Sequence, residues 1–299
     1  MKYSIDTTQL KGHYAENVSL ADYSSWRIGG LADRFYQPAD QEDLIKFIGC
    51  LPTEEPIIWL GLGSNTLVRD KGLRGTIIVT QGLLKKLDQV NQETIRAEAG
   101  VACGQVARFC ARKGLRGLEF YAGIPGTVGG SLRMNAGAYG GETWKYVQAV
   151  ETLTRKGERK LRLPTEYQIK YRQVDSPEEE WFLAAHFKLA PGSKEEALEY
   201  IRDMLAKRNA SQPINLPNGG SVFRNPPGHY AAKLIEICGL KGYRIGGACV
   251  SPKHANFIVN DQGATAKEVE ALIDHIAEQV YQRHGIKLVR EVHVIGEKE

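Results

Sequence analysis

A glycine-rich segment from Tyr121 to Gly141 constrains the fold of this 299-residue chain more than any other feature. It reads YAGIPGTVGGSLRMNAGAYGG. Glycine at this density weakens regular helices and strands, but it permits left-handed turns and a close approach of the backbone. Main-chain N–H groups can then converge on an anion, and a diphosphate is the ligand that this pattern favours. The alternative interpretation is an ordinary glycine-rich surface loop.

Another glycine loop, the first along the chain, lies in the segment Ile57–Asp70, which reads IIWLGLGSNTLVRD, so the glycine-rich segment at Tyr121–Gly141 is the second. Its apolar beginning predicts a buried strand that ends at Gly61. Gly61 and Gly63 resemble the start of a dinucleotide fingerprint, but Thr66 occupies the place of the third glycine and no helix pattern follows. The chain also has no Walker-type Gly-Lys-Ser/Thr motif. The loop therefore predicts a phosphate site of another kind than the Rossmann fold.

Apolar spacing and turn residues predict an alternation of helices and strands along the chain. Helices are predicted after Asp40, over Cys103–Lys113, after Ser193 and from Thr265 to Gly285. Strands are predicted at Ile57–Leu60, Thr76–Val79, Thr94–Ala99, Val147–Thr154, Trp181–Leu189 and Ile286–Gly296. A domain boundary is expected near Ala190–Gly192.

Composition and charge exclude several classes of protein. The hydrophobic fraction of 42% and the charged fraction of 25% are ordinary for a globular chain, and the net charge is only +4. Basic residues form no stripe or patch, so we expect no nucleic-acid partner. Five cysteines without a Cys-x-x-Cys pair indicate neither a zinc cage nor a disulfide framework. The N-terminus lacks an apolar core of signal-peptide length and no run approaches membrane-spanning length, so we expect a cytoplasmic protein without membrane contact.

Four polar residues are candidates for chemistry. Ser221 follows two glycines, but it has no nucleophile-elbow context and by itself reads as a turn residue. The donor fork of Arg172 suits a carboxylate or a developing enolate, although a strand arginine is usually solvated. Glu291 is expected in the last strand, either as an edge charge or as an acid/base group with a raised pKa if a cleft buries it. His254 has no partner at metal-ligand spacing, so we expect no metal site.

The two glycine loops together resemble the FAD-binding domain of the vanillyl-alcohol-oxidase (PCMH) type. More narrowly, the chain resembles the UDP-N-acetylenolpyruvoylglucosamine reductase (MurB) family. Besides the two loops, five blocks carry the resemblance: SSWRIGGLADRFYQP (Ser24–Pro38), KYRQ (Lys170–Gln173), PNGGSVFRNPPG (Pro217–Gly228), GGACVSPKHANFIVN (Gly246–Asn260) and LVREVHVIG (Leu288–Gly296).

The resemblance implies an α+β fold: a two-subdomain FAD-binding region followed by an α+β substrate-binding domain. The FAD-binding region is expected over residues 1–192, with subdomains of about 1–80 and 81–192. The substrate domain is expected over 193–299, and its last strand could return to the first subdomain. Only 48 residues separate Arg172 from Ser221. This span is too short for the tyrosine loop that the longer class of the family inserts over the substrate, and its late tyrosine, Tyr200, falls within a predicted helix. The chain therefore resembles the shorter, second class.

The resemblance also assigns site residues. It implies that the catalytic residues are Arg172, Ser221 and Glu291. It implies FAD contacts from Gly61, Gly63, Ser64, Asn65, Thr66, Ile124, Pro125, Gly126, Gly129, Gly130, Asn135 and Gly137. It implies substrate contacts from Tyr171, Arg224, Asn225 and His254. The chain departs from the family pattern where Gln173, Val174 and Asp175 follow the arginine, and where Arg224 replaces a lysine.

The implied activity is a two-step reduction. NADPH reduces a non-covalently bound FAD, which then reduces the enolpyruvyl group of UDP-N-acetylglucosamine enolpyruvate, with Ser221 as the proton donor. One rival is an FAD-dependent oxidase of the same superfamily, but no histidine lies between Tyr14 and Ala185 to tether the flavin covalently. The other rival is a non-catalytic sugar-nucleotide-binding protein, in which the three catalytic residues would have no reason to persist together. We expect a monomer.

Overall fold

A computed structural model describes residues 5–298 of the chain. The described residues form two compact units. Unit 1 takes the described residues up to Glu16, together with Arg34–Leu62 and Gly75–Ala206, and unit 2 takes Asn17–Asp33, Gly63–Arg74 and the described residues from Lys207 onward. This division differs from the expected boundary after residue 192, because two early segments join the C-terminal part of the chain.

The strands are short and numerous. In the first half of the chain they are β1 (His13–Ser19), β2 (Leu31–Gln37), β3 (Ile57–Leu60), β4 (Thr66–Val68), β5 (Leu73–Val79), β6 (Leu87–Gln89), β7 (Thr94–Glu98), β8 (Leu115–Arg116), β9 (Gly137–Ala138) and β10 (Gly141–Glu142). In the second half they are β11 (Val147–Thr154), β12 (Arg159–Arg162), β13 (Gln168–Lys170), β14 (Gln173–Asp175), β15 (Glu180–Lys188), β16 (Ala190–Pro191), β17 (Arg244–Ile245), β18 (Ala248–Val250), β19 (Ile258–Asn260) and β20 (His293–Ile295).

The α-helices are α1 (Gln41–Gly49), α2 (Cys103–Arg112), α3 (Val128–Arg133), α4 (Lys194–Ser211), α5 (Ala231–Ile237) and α6 (Ala266–His284). Short 3-10 helices cover Ala21–Tyr23, Glu119–Gly123, Thr143–Tyr146 and Pro164–Glu166. Among residues 5–298, every helix is too short or too polar to span a bilayer.

A five-stranded antiparallel sheet in the order β12-β11-β15-β7-β6 forms the centre of unit 1. Strand β11 buries Val147 and Val150 in the apolar cluster that also holds residues of helix α2 and the glycine-rich segment, and it buries Leu153 in a second cluster. A second sheet has the order β1-β2-β5-β3, with β3 and β5 parallel. Helix α1 packs its Leu44, Phe47 and Ile48 into a separate apolar cluster.

Unit 2 is built around helix α6. The helix buries its apolar stripe against residues of the three-stranded sheet β17-β18-β19 and against Val222 and Phe223. The last strand, β20, pairs in parallel with β4, so the end of the chain lies beside the continuation of the first glycine loop. Asp70 accepts hydrogen bonds from the N–H groups of Ala266 and Lys267, which fixes the end of that loop to the start of α6.

The strongly patterned helices agree with the sequence predictions. Asp40 caps α1 by accepting from the Asp43 N–H, and Thr265 and Glu268 form the predicted capping box of α6. Helix α6 ends at Gly285, whose φ of 67° is left-handed.

Two local predictions are wrong. The strand predicted over Ile286–Gly296 is reduced to β20, because Arg290 forms only an isolated bridge with Phe223 before the chain turns to β4. The glycine-rich segment, expected as a loop, contains helix α3 despite Gly129 and Gly130. The Thr127 side chain caps this helix, and buried Val128 and Leu132 hold it in the core, so tertiary packing outweighs the low helix propensity of glycine.

Candidate active site

The Ser221 loop lies on the ring of Trp26 in unit 2. A Cβ added at Gly219 would lie 2.3 Å from that ring, so only glycine allows this approach. Trp26 is fully buried, and its Nε1 donates to the carbonyl of Ile258 at 2.9 Å. Gly220 has a left-handed φ of 74° and donates to the side chain of Asn218. The contact of Gly219 with Trp26 thus gives an aromatic support to the loop that carries Ser221, which is half-buried.

Glu291 lies beside the Ser221 loop. Its N–H donates to the carbonyl of Val222 at 2.8 Å, and Arg224 donates back to Val289 at 2.9 Å. Glu291 precedes β20 and is half-buried, so the expectation that it belongs to a long final strand is wrong. The structure nevertheless brings two of the three predicted catalytic residues, Ser221 and Glu291, onto adjacent backbone segments.

Asn65, predicted to contact FAD, also joins this group in unit 2. Its side-chain nitrogen donates to the Glu291 carbonyl at 3.1 Å, and its own carbonyl accepts from the His293 N–H at 3.0 Å. The predicted flavin loop and the predicted catalytic glutamate are therefore held together by the same hydrogen bonds that begin the β4–β20 pairing.

The first glycine loop has the features of an anion-binding turn. Gly63 has a φ of 64°, and a Cβ there would lie 2.0 Å from the Tyr23 carbonyl. Within the described part of the chain, the N–H groups of Gly63 and Ser64 donate to no protein acceptor. In unit 1, a Cβ on Gly61 would lie 2.4 Å from Oγ1 of Thr127, so the end of β3 reaches the second glycine segment. Such a turn suits the oxygens of a diphosphate.

Most of the N–H groups of the second glycine segment donate to acceptors within unit 1. Val128 donates to Val101 and Gly129 donates to Ala99, both at 2.9 Å, and Gly126 donates to Ile124. A Cβ on Gly129 would come within 3.0 Å of Ala99, whereas Gly130 is exposed and has only Thr127 nearby. A side chain at Gly129 would therefore press on Ala99, and the open side of the segment lies at Gly130 and the exposed Pro125.

Arg172 occupies the tip of the β13–β14 hairpin in unit 1. Its φ of 56° is left-handed, a conformation that costs a non-glycine residue about 1–2 kcal/mol. The guanidinium donates to the carbonyls of Asn135 at 3.2 Å and Gly137 at 2.6 Å, and it lies 4.8 Å from the centre of the Tyr171 ring. The hairpin tip is thereby attached to the end of the glycine-rich segment, at two residues predicted to contact FAD.

The side chain of Asn135 is engaged with the protein. Its nitrogen donates to Glu142 and to the Lys170 carbonyl, and its oxygen accepts from the Trp144 N–H. Asn135 is 3% exposed and has a φ of 41°. These contacts give it a structural role at the base of the Arg172 hairpin, which the sequence did not predict; its contact with FAD stays a prediction.

The predicted substrate residues of unit 2 lie on segments that flank Ser221. The Asn225 oxygen accepts from the Ala231 N–H and so caps helix α5. His254 Nδ1 accepts from the Asn256 N–H at 3.3 Å, which leaves the proton of the neutral ring on Nε2. Burial, and secondarily Lys241, lowers the pKa of His254 from its usual value. His254 is therefore a neutral donor rather than a fixed cation.

The described residues contain no metal-binding cluster, and two of the cysteines are buried in unit 1. Among residues 5–298, no group of three or more His, Cys, Asp or Glu side chains could hold a metal ion. Burial raises the pKa values of Cys103 and Cys110 to about 12, so both thiols stay protonated and inert.

Comparison with known proteins places the chain in a family. Residues 212–295 match the C-terminal domain of UDP-N-acetylenolpyruvoylglucosamine reductase, and residues 32–160 match an FAD binding domain. The UDP-N-acetylenolpyruvoylglucosamine reductase of Legionella pneumophila (strain Corby) is 54% identical over 295 residues, which cover 98% of this chain and 96% of the relative. That of Nitrosococcus oceani is 53% identical over 293 residues, covering 98% of each.

The chain belongs to the UDP-N-acetylenolpyruvoylglucosamine reductase family. Among solved structures, the reductase (MurB) from Thermus caldophilus matches with a TM-score of 0.81 and 33% identity, covering 95% of this chain and 99% of that one. The predicted α+β fold, an FAD-binding region followed by the C-terminal domain of the reductase family, is confirmed. The predicted class of flavin-dependent oxidoreductase is confirmed by the same family membership.

The residues of this reductase-family chain fit a flavin. In unit 2, the turn at Gly63 and Ser64 supplies main-chain donors. In unit 1, Gly61 lies against the Thr127 side chain and Gly129 against Ala99, and these close approaches depend on the glycines having no side chain of their own. Sequence reasoning missed Trp26, Thr127 and Asn256 as supports of the loops. Trp26 and Asn256 lie inside the blocks that carry the family resemblance, but a buried aromatic or amide gives no signal of which loop it holds.

Proposed function

We propose that the chain reduces UDP-N-acetylglucosamine enolpyruvate to UDP-N-acetylmuramate with NADPH, as a monomeric cytoplasmic enzyme of peptidoglycan synthesis. The family membership and the FAD-domain match support the reaction. The observation that carries the proposal is the joining of Ser221 and Glu291 through the 2.8 Å hydrogen bond between Glu291 and Val222. The backbone segments that carry a hydroxyl and a carboxyl are therefore neighbours, which supports the proposal that both groups act at the proton-transfer step.

A bound FAD, for which the Gly63 and Ser64 N–H groups would supply main-chain donors, would provide the hydride chemistry between NADPH and the terminal vinyl carbon of the substrate. In the reduction of the substrate, a new C–H bond forms at that carbon and the electron pair of the double bond moves to its neighbour. Ser221 donates its hydroxyl proton to this neighbouring carbon and regains a proton from solvent.

Arg172 and Glu291 have supporting roles in this proposal. The cationic fork of Arg172 stabilises the negative charge that develops on the substrate carboxylate and α-carbon. Glu291 acts with Ser221 at the proton-transfer step. Tyr171, Arg224, Asn225 and His254 bind the sugar nucleotide. Tyr200 takes no part in this proposal, because it lies within helix α4 and not in an inserted loop.

Replacing Ser221 by alanine tests the proposal. Flavin reduction by NADPH should proceed at the wild-type rate, because no proton from Ser221 is needed. Reoxidation by the enolpyruvyl substrate should slow by roughly 10²–10⁴-fold, the usual contribution of a positioned acid. Stopped-flow absorbance of the flavin measures the two half-reactions separately.

A matched control is Ser211→Ala, which removes an exposed hydroxyl at the end of α4 that bonds only to its own helix. This control should leave both half-reactions unchanged. Equal slowing of both half-reactions in Ser221→Ala would contradict the proposal, since it would indicate damaged flavin binding.

A further inference from the structure

The backbone after Ser221 is held by one buried amide side chain. The Asn256 oxygen accepts from the Phe223 N–H at 3.0 Å, and the Asn256 nitrogen donates to the Phe223 carbonyl at 2.8 Å. The main-chain carbonyl of Asn256 accepts from the Val222 N–H at 2.9 Å. Three hydrogen bonds from one residue thus hold the two residues that follow Ser221.

The fourth polar group of this segment is also engaged. The Val222 carbonyl accepts from Glu291 at 2.8 Å, so every main-chain donor and acceptor of residues 222 and 223 is paired. Val222 and Phe223 are each 1% exposed, and Asn256 is 4% exposed. Water therefore cannot substitute for the amide without opening the core, and a lost partner would leave unsatisfied buried groups.

We propose that Asn256 is a positioning residue for proton transfer by Ser221, an inference that rests on the proposed function. Ser221 directly precedes Val222 in the chain. The three hydrogen bonds of Asn256, called the amide clamp, and the contact of Gly219 with Trp26 therefore fix the Ser221 backbone from which the hydroxyl extends. Proton transfer requires heavy atoms within about 3 Å of each other, and an error of about 1 Å can cost on the order of 100-fold in rate. Asn256 contacts neither reacting atom in this account and acts only through the backbone.

The same residue connects Ser221 to the predicted substrate segment. The Asn256 N–H donates to Nδ1 of His254 at 3.3 Å, and Phe257, the next residue, packs edge-on against the His254 ring. The clamp therefore sets the spacing between the proton donor and a predicted substrate contact on the opposite side of Asn256. An amide exposed to water would not fix that spacing, because water could replace its hydrogen bonds.

The test compares Asn256→Ala and Asn256→Asp with wild type in the two half-reactions. Aspartate keeps an acceptor for the Phe223 N–H, and as the neutral acid, the form that burial favours, its hydroxyl can still donate to the Phe223 carbonyl, so this variant should be affected less than alanine. We expect reoxidation by the enolpyruvyl substrate to slow by roughly 10- to 100-fold in Asn256→Ala, with flavin reduction by NADPH unchanged. Faster amide hydrogen exchange at Phe223 should accompany the slowing.

The double variant Ser221→Ala/Asn256→Ala separates positioning from a general structural effect. If Asn256 acts through the serine, the double variant should reoxidise no more slowly than Ser221→Ala alone. The control Val280→Ala removes buried apolar volume from α6, and Val280 makes none of the hydrogen bonds to residues 222 and 223. It should lower the thermal stability and leave the ratio between the rates of the two half-reactions unchanged.

Three outcomes would overturn the inference: wild-type reoxidation in both Asn256 variants, equal slowing of both half-reactions, or full additional slowing in the Ser221→Ala background. Its failure is distinguishable from failure of the proposed function. If Ser221→Ala slows reoxidation while both Asn256 variants do not, only the positioning role fails. If Ser221→Ala itself reoxidises at the wild-type rate, the proton-donor assignment fails first.

Discussion

At the scale of single residues, backbone strain marks the candidate site. Five described non-glycine residues have a left-handed φ, and three of them are Asn135, Tyr139 and Arg172. Such conformations persist only where surrounding contacts fix them. At Arg172 the two carbonyls of the glycine-rich segment supply those contacts. The sequence identified Arg172 as a candidate but could not reveal its conformation, because that conformation depends on partners more than 30 residues away.

Gly219→Ala tests the support of the Ser221 loop. The new methyl would overlap the buried Trp26 ring, so we expect a loss of about 1–3 kcal/mol in the free energy of unfolding and slower substrate reoxidation. Chemical denaturation followed by fluorescence measures the first effect, and stopped-flow absorbance measures the second.

Gly49→Ala is the control for this change, because nothing lies within 4 Å of a Cβ at Gly49 and its φ is not left-handed. It should be neutral or slightly stabilising. A Gly219→Ala protein as stable and as active as wild type would show that the Trp26 contact does not hold the loop.

At the scale of elements, strong local sequence patterns were sufficient to predict helices, whereas strand pairing between distant segments could not be predicted. The capping residues and apolar stripe of α6 are encoded within its own sequence, and they predicted both of its ends. The final strand was predicted too long, because its pairing partners, Thr66–Val68 and Phe223, lie far away in the sequence. Helix α3 was missed because its stability comes from core packing rather than from its composition.

An ion cluster across β7, β11 and β15 predicts a pH dependence. Glu151 lies between Arg96, with two contacts of 2.6 Å, and His186 at 2.8 Å. Chiefly Arg96, opposed by burial, lowers the pKa of Glu151 from 4.5 to about 2. Since the folded pKa is below the unfolded one, the stabilisation is complete above the unfolded value and is lost as the pH falls from there towards the folded value.

We therefore expect Glu151→Gln to lower the melting temperature at neutral pH and to flatten its fall between about pH 5 and pH 3. Thermal melts across that range measure both effects. The control Glu199→Gln breaks an exposed pair with Arg202 on α4 and should change little. If the melting temperature of Glu151→Gln depends on pH as it does in the wild type, this ion cluster does not stabilise the fold.

At the scale of the whole molecule, the two units divide the predicted site residues between them. Arg172 and the second glycine segment belong to unit 1, whereas Ser221, Glu291 and the residues from Gly63 to Thr66 belong to unit 2. The sequence predicted two functional parts but drew a single boundary, because the insertion of Asn17–Asp33 and Gly63–Arg74 into unit 2 is set by tertiary contacts and leaves no compositional signal.

The absence of histidine between Tyr14 and Ala185 predicts that FAD is held without a covalent bond. Acid precipitation of the purified protein should therefore release all of the flavin into the supernatant, where its absorbance can be measured. Flavin that stays with the pellet would indicate a covalent link and would favour the oxidase alternative.

The visible spectrum of the purified protein tests the central claim most directly. We predict a yellow protein whose flavin absorbance disappears when NADPH is added without oxygen and returns when UDP-N-acetylglucosamine enolpyruvate is added. The first change reports the reduction of FAD, and the second reports the transfer of hydride to the enolpyruvyl group. A flavin that NADPH reduces but that only oxygen, and not the enolpyruvyl sugar nucleotide, reoxidises would contradict the account.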